Sequence, residues 1–165
     1  MRILMVCLGN ICRSPLAEGI LRKHSEKAGL NWHVDSAGTN GLHNGEPPHR
    51  LSQKVARMNG IDISGQKSRR FRKSDLDDFD LIIAMADDVL DGIRDIAGAR
   101  FDATRIRSFM DISHPGKGLE VPDPWYGGES GYHDVYEILD DGCAELVRQF
   151  LSGPANITVT HNRNK

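Results

Sequence analysis

Cys7, Gly9, Asn10, Cys12, Arg13 and Ser14 fall within a single run, Val6-Cys7-Leu8-Gly9-Asn10-Ile11-Cys12-Arg13-Ser14-Pro15. Their types and order suit attack of a thiol on phosphorus. The apolar stretch from Ile3 to Val6 reads as a buried strand leading into the run. Ser14 followed by Pro15 reads as a helix N-cap with proline at the first helical position. A strand, a short loop and a helix N-terminus make an anion cradle, because free amides and the helix dipole converge on one spot. Cys7 at the mouth of that cradle is favoured in its nucleophilic, thiolate form. Arg13 supplies a planar fork that matches phosphate oxygens. Gly9 suits a sharply bent backbone that approaches a ligand, Asn10 tolerates left-handed geometry, and Ser14 is placed to hydrogen-bond the Cys7 sulfur. The Cys-to-Arg spacing alone carries little, since a buried strand-end cysteine and a surface arginine meet it equally well.

Far along the chain, Val121-Pro122-Asp123-Pro124-Trp125-Tyr126-Gly127-Gly128 sets an acid between prolines and before aromatics and glycines. Such a composition also describes an ordinary surface turn. Thiolate attack on a phosphate ester, however, needs an acid to protonate the leaving oxygen, and Asp123 on a stiff loop beside Trp125 and Tyr126 fits that need.

With these motifs in place, the chain resembles the low-molecular-weight protein tyrosine phosphatases. Cys7 to Pro15 matches that family's phosphate loop, Asp35-Ser36-Ala37-Gly38-Thr39 its second-strand motif, and Asp123-Pro124-Trp125-Tyr126 its acid loop. The match runs in order from Met1 to about Phe150. The resemblance implies a hydrolase that acts on phosphotyrosine in proteins through a cysteinyl-phosphate. Cys7 is then the nucleophile and Asp123 the acid that serves next as base. Arg13 and the backbone of Leu8, Gly9, Asn10, Ile11, Cys12, Arg13 and Ser14 bind the phosphate. Asn10, Ser14 and Ser36 hold the loop in shape, and Leu42, His43, Trp125 and Tyr126 line the substrate pocket. No cofactor or metal is implied, because Arg13 and the amides supply the positive charge. The partners implied are a phosphotyrosine protein, a tyrosine kinase among the candidates, with inorganic phosphate as product.

Two positions depart from the family pattern. Gln66 stands where a histidine is frequent in the loop-supporting network, so it can donate and accept but cannot become a cation. Leu42 stands where an aromatic commonly stacks on the substrate ring, with His43 beside it. Cys12 is a candidate redox partner of Cys7 by reversible disulfide formation, or else an inert loop residue. Three other activities compete. A phosphoarginine phosphatase is disfavoured by Ile11 and by the bulky Trp125-Tyr126. An arsenate reductase needs a downstream cysteine pair, and only Cys143 is there. A phosphopeptide-binding module would not need the nucleophile and acid together.

Composition narrows the setting. A chain of 165 residues is expected to form one domain with one adequate core. The net charge of −2 argues against nucleic-acid and membrane-surface roles. Apolar runs are too short to span a bilayer, and no signal peptide is expected. Three cysteines without paired spacing suit a reducing cytoplasm. Cys7 and Cys12 lack further ligands at metal-site spacing. Asn156-Ile157-Thr158 spells a glycosylation signal that nothing else supports.

The elements that must position these residues alternate. Strands are expected over Ile3 to Val6, Trp32 to Ser36, Leu81 to Met85 and Arg105 to Phe109. Helices are expected from Pro15 to about Ala28 and from Pro47 or Pro48 to Gly60, the latter with Leu51, Val55 and Met58 inward. Further helices are expected from Asp87 to Ile96 and from Gly131 to Phe150. The last carries the stripe Tyr132, Val135, Tyr136, Leu139, Cys143, Leu146, Val147 and Phe150. The basic run from Lys67 to Lys73 is expected to be a solvated face. The order predicts an α/β fold: a single-domain doubly wound sheet of about four parallel strands with helices on both faces. Ligands would then meet the carboxyl ends of the strands. The phosphatase domain is expected over residues 1–151, with a polar, mobile tail over 152–165.

Overall fold

β1 (Arg2–Cys7) is apolar from Ile3 to Val6 and is buried on both sides, the mark of a central parallel strand. The computed structural model describes residues 1–153. It pairs β1 with β2 (His33–Gly38) on one edge and with β3 (Leu81–Ala84) on the other, all in parallel. β4 (Ile106–Ser108) extends the sheet, giving the order β2-β1-β3-β4. The chain therefore steps from β1 to one side and returns to the other. That reversal leaves a crevice at the carboxyl end of β1, where open sheets of this kind bind ligands.

Alternation along β1 divides the core. Ile3 and Met5 pack with Leu16 and Ile20 of α1 (Arg13–Lys27) and with Leu139 and Leu146 of α6 (Glu129–Leu151). Leu4 and Val6 face the opposite layer, with Val89 and Ile93 of α4 (Asp87–Ala97). Among the described residues there are three shorter α-helices: α2 (Arg50–Met58), α3 (Asp75–Asp78) and α5 (Met110–Ser113). This is the single-domain, doubly wound α/β architecture that the pattern predicts.

The departures have local causes. α1 begins at Arg13 with Cys12 at the N-cap, so Ser14 and Pro15 lie inside its first turn rather than at its cap and first position. The Ser14 hydroxyl is taken by the Cys7 sulfur at 2.9 Å instead of a helix amide, and proline is tolerated in a first turn because its missing N–H has no intrahelical acceptor there. Met58 is 65% exposed, not inward, and Leu51 only half-buried. The buried face of α2 is Ser52, Val55 and Ala56, which centres it on a serine and puts Leu51 and Met58 at its edges. Ser52 is buried because its hydroxyl donates to the Cys12 carbonyl at 3.2 Å. Phe150 ends the α6 stripe partly exposed, its ring edge-on to Trp32. β2 runs one residue later at its start and ends at Gly38, past Ser36. Most of the expected tail, residues 154–165, lies outside the described residues.

Candidate active site

Cys7 closes β1, and the chain then loops into α1. The shape of this loop follows from where its carbonyls go. Cys7 O accepts from Thr39 N at 3.0 Å, and Leu8 O from Asn40 N at 3.0 Å. Gly9 O accepts from the Ser68 hydroxyl at 3.1 Å, and Ile11 O from His49 N at 2.7 Å. With Cys12 O held by Ser52, the carbonyls are turned outward, and the amides are left to face the hollow. Among the described residues no protein acceptor takes the N–H of Leu8, Gly9, Ile11 or Cys12. Inward amides at a helix N-terminus form an anion nest.

Asn10 enforces the turn. It is the non-glycine residue with positive φ among those described, at 58°, and it is buried. Its N–H donates to the Cys7 sulfur at 3.2 Å. Its side-chain amide donates to Ser14 Oγ at 2.9 Å and Ser36 Oγ at 3.0 Å, and its Oδ1 accepts from Arg69 N at 3.0 Å. Behind it the Ser36 hydroxyl donates to Glu18 Oε1 at 3.0 Å. Burial pushes the Glu18 carboxyl up to about 7, against the opposing pull of Arg22 and Ser36. Gly38 is required for close approach: a Cβ there would lie 2.8 Å from Leu8 O and 3.0 Å from Asn10 N.

Arg13 is buried along the floor, with Nη1 donating to Val121 O at 3.1 Å. Its Nη2 lies 3.7 Å from Asp123 Oδ2. Asp123 caps a short 3₁₀ turn, Pro124–Tyr126, and its Oδ1 accepts from Trp125 N at 3.0 Å. The Cys7 thiol, the Arg13 guanidinium and the Asp123 carboxyl thus face one cavity of about 230 Å³. Leu8, Gly9, Ile11, Cys12, Leu42, His43, Trp125 and Tyr126 line it as well. Cys7 at the bottom is 3% exposed, while Leu42 and Tyr126 at the rim are 79% and 87% exposed. Asn10, Ser14 and Ser36 sit behind the loop wall.

Cys12 is held differently from Cys7. Its sulfur lies 3.6 Å from the Tyr132 hydroxyl, and burial with nearby negative groups pushes its thiol up to about 11, so it is protonated near neutral pH. All three cysteines are free, and Cys143 is fully buried between α6 and α1, beyond reach of the cavity. Among the described residues no group of three or more His, Cys, Asp and Glu is placed to hold a metal ion.

Some supporting residues escape a reading by type. Arg69, in the basic run expected to be solvated, is half-buried and forks onto Asp35 at 3.1 Å and the buried Asp75 at 3.0 Å. Asn40 lines the cavity beside Leu42. Gln66 does not reach the loop network: its Nε2 donates to Pro15 O at 3.1 Å in α1. His49 gives no motif signal beyond its place after two prolines, yet it touches both the phosphate loop and the acid loop.

The family model for low molecular weight phosphotyrosine protein phosphatases matches residues 2–154. The low molecular weight protein-tyrosine-phosphatase YfkJ of Bacillus subtilis is 40% identical over 147 residues, 88% of this chain and 92% of the relative. A protein tyrosine phosphatase of Entamoeba histolytica, solved with Hepes in its active site, superposes with a TM-score of 0.83 at 37% identity, over 93% of this chain and 98% of that one. The YwlE arginine phosphatase, solved with a phosphorylated active-site serine, superposes with a TM-score of 0.83 at 25% identity, over 92% and 96% of the two chains. The sulfur, guanidinium and carboxyl that share this cavity are therefore carried by a chain that belongs to the low molecular weight phosphotyrosine protein phosphatase family.

Proposed function

We propose that this chain hydrolyses phosphotyrosine in proteins through a cysteinyl-phosphate formed on Cys7. One observation carries the reading: Cys7, Arg13 and Asp123 face the same hollow, floored by a loop with its carbonyls turned away. The Cys7 sulfur attacks phosphorus, forming the S–P bond as the P–O bond to the phenol breaks. The inward amides and the Arg13 guanidinium hold the equatorial oxygens as charge builds on them. Asp123 gives its proton to the leaving phenolate. A water then attacks phosphorus, Asp123 takes its proton, the S–P bond breaks, and inorganic phosphate leaves.

The depth of the site supports a tyrosine ester. A phosphate on a short aliphatic side chain would stop near the rim, whereas a phenyl ring bridges rim and floor between Leu42 and Trp125. The apolar Ile11 on the cavity wall supports an aryl ester over a guanidinium. A tyrosine kinase that carries its own phosphotyrosine is a fitting substrate, and the free cysteines fit a reducing cytoplasm. No described helix is long and apolar enough to cross a membrane.

Peptides bearing phosphotyrosine, phosphoserine or phosphoarginine, assayed with wild type and Cys7→Ser, test this reading. Phosphotyrosine should be preferred over phosphoserine at least about a hundredfold in kcat/KM, because the shorter ester fails to seat its phosphate, and over phosphoarginine because the apolar Ile11 offers its guanidinium no polar partner. Cys7→Ser should bind phosphate but not turn over. Equal rates on the three peptides, or turnover by Cys7→Ser within tenfold of wild type, would refute it.

A further inference from the structure

His49 stands at a junction of three parts of the site. Its backbone N–H donates to Ile11 O at 2.7 Å, fixing the start of α2 to the phosphate loop. Its ring Nδ1 accepts from Leu51 N at 3.1 Å, so the side chain is the N-cap of α2. The ring itself is packed on two sides. Tyr132 of α6 stacks on it at 5.1 Å and 19°, and Trp125 of the acid loop meets it edge-on at 5.5 Å and 74°. Trp125 is in turn bonded to the acid, its backbone N–H donating to Asp123 Oδ1 at 3.0 Å.

We propose that His49 is a positioning residue of the acid loop: its imidazole, held between Tyr132 and Trp125, sets where Asp123 carries its carboxyl. The proposal rests on Asp123 being the general acid. The backbone beside Asp123 is anchored by the buried Pro124 and by Val121, whose N–H donates to Met85 O at 2.9 Å, but among the described residues the carboxyl itself bonds only within its own turn. Its second oxygen is 3.7 Å from Arg13, beyond hydrogen-bond distance, and the turn that carries it is only Pro124–Tyr126. The Trp125 ring is half-exposed, and it meets the body of the protein through the rings of His49 and His43. His43 sits on the rim loop, tied to Glu46 at 2.8 Å. The His43 ring packs over Gly9 from that exposed rim, whereas His49 ties Trp125 to Tyr132 of α6 and, through its backbone N–H, to Ile11 O. The stack on Tyr132 and the edge contact with Trp125 hold the ring plane, while the Nδ1 cap stabilises the start of α2.

Two substitutions separate these roles. His49→Asn keeps a capping acceptor but removes the ring. His49→Phe keeps the ring but removes the acceptor. Either leaves the backbone bond to Ile11 in place. The experiment measures kcat/KM against leaving-group pKa, from 4-nitrophenyl to phenyl phosphate. The proteins are wild type, both His49 variants, Asp123→Asn, and the double variant His49→Asn with Asp123→Asn. Competitive inhibition by inorganic phosphate and Tm are read alongside. His49→Asn should lose about tenfold or more on phenyl phosphate and much less on the nitrophenyl ester, because misplaced acids fail most where the leaving group is poor. His49→Phe should restore the wild-type slope while lowering Tm by about 2–4 °C through loss of the cap. The double variant should show no steeper slope than Asp123→Asn. A wild-type slope in His49→Asn, beside a steep slope in Asp123→Asn, would overturn the proposal and leave the acid in place. A phosphate affinity that falls as far as the rate would also overturn it, by assigning His49 to the phosphate loop. A wild-type slope in Asp123→Asn itself would remove the acid assignment, and this inference with it.

Discussion

Asn10 is the position at which the phosphate loop should be most sensitive to a small change. Asn10→Ala removes buried bonds to Ser14 Oγ, Ser36 Oγ and Arg69 N, at 2.9, 3.0 and 3.0 Å. Each is worth about 1 kcal/mol net. The backbone at φ 58° adds about 1 kcal/mol, because alanine lacks asparagine's tolerance for left-handed geometry. The sum is about 4 kcal/mol, a fall in Tm on the order of 10 °C for a domain of this size. Asn10→Gly loses the same bonds but fits the backbone, so it should cost about 1 kcal/mol less than alanine. Rate should fall with stability, since the Asn10 N–H that meets the Cys7 sulfur is aimed by this turn. Urea unfolding of wild type, Asn10→Ala, Asn10→Gly, Ser36→Ala and the Asn10→Ala/Ser36→Ala pair gives the energies and the coupling. The pair should couple by about 1 kcal/mol, because both singles break one shared bond. If Asn10→Ala costs under about 1 kcal/mol and keeps kcat/KM within twofold, the loop is held by its carbonyl partners alone, and this reasoning is wrong.

Glu18 should make stability depend on pH. Its carboxyl is raised from 4.5 to about 7, mainly by burial, so the folded state favours the protonated form. That contribution is fully present below pH 4.5 and is lost as pH rises through 7, amounting to about 3 kcal/mol at the limit. Glu18→Gln should therefore match wild type near pH 4.5 and exceed it in urea titrations near pH 8, and an equal offset at both pH values would contradict the assignment. Two glycines give a matched contrast. A Cβ on Gly38 would press on the backbone of Leu8 and Asn10, whereas one on Gly142 would meet the Phe109 ring at 2.4 Å, inside the core. Gly38→Ala should lose roughly tenfold or more in kcat/KM, because the loop amides must shift. Gly142→Ala should lower Tm with little change in kcat/KM below the transition. Comparable activity loss in both would show that the Gly38 contact is not specific to the loop.

The sheet and the side chains that meet in the cavity are legible for the same reason. Cys7, Gly9, Asn10 and Arg13 are contiguous, and a strand, a loop and a helix start can be read directly from that run. Asp123 was legible through its neighbours, since prolines and aromatics mark a stiff, lined turn. What holds the loop was not. Thr39, Asn40, His49, Ser52 and Ser68 each take one loop carbonyl, and they come from three separate stretches of chain. By residue type they read as loop polarity. Ser52 is the clearest case: a serine at the centre of a buried helix face shifts the apparent stripe toward Leu51 and Met58, and its burial follows only from the carbonyl it meets. Arg69 is the same error with charge. Its basic neighbours make it read as solvated, whereas Asp35, distant in sequence, and the buried Asp75, six residues on, draw it inward. An anion nest consists of amides, which every residue type supplies alike. Its chemistry is thus set by whatever turns the carbonyls away, and those partners are specified by tertiary contact rather than by motif. The positions that decide how well this site works are accordingly the ones with the weakest signature, and His49, with no motif of its own, is the sharpest instance.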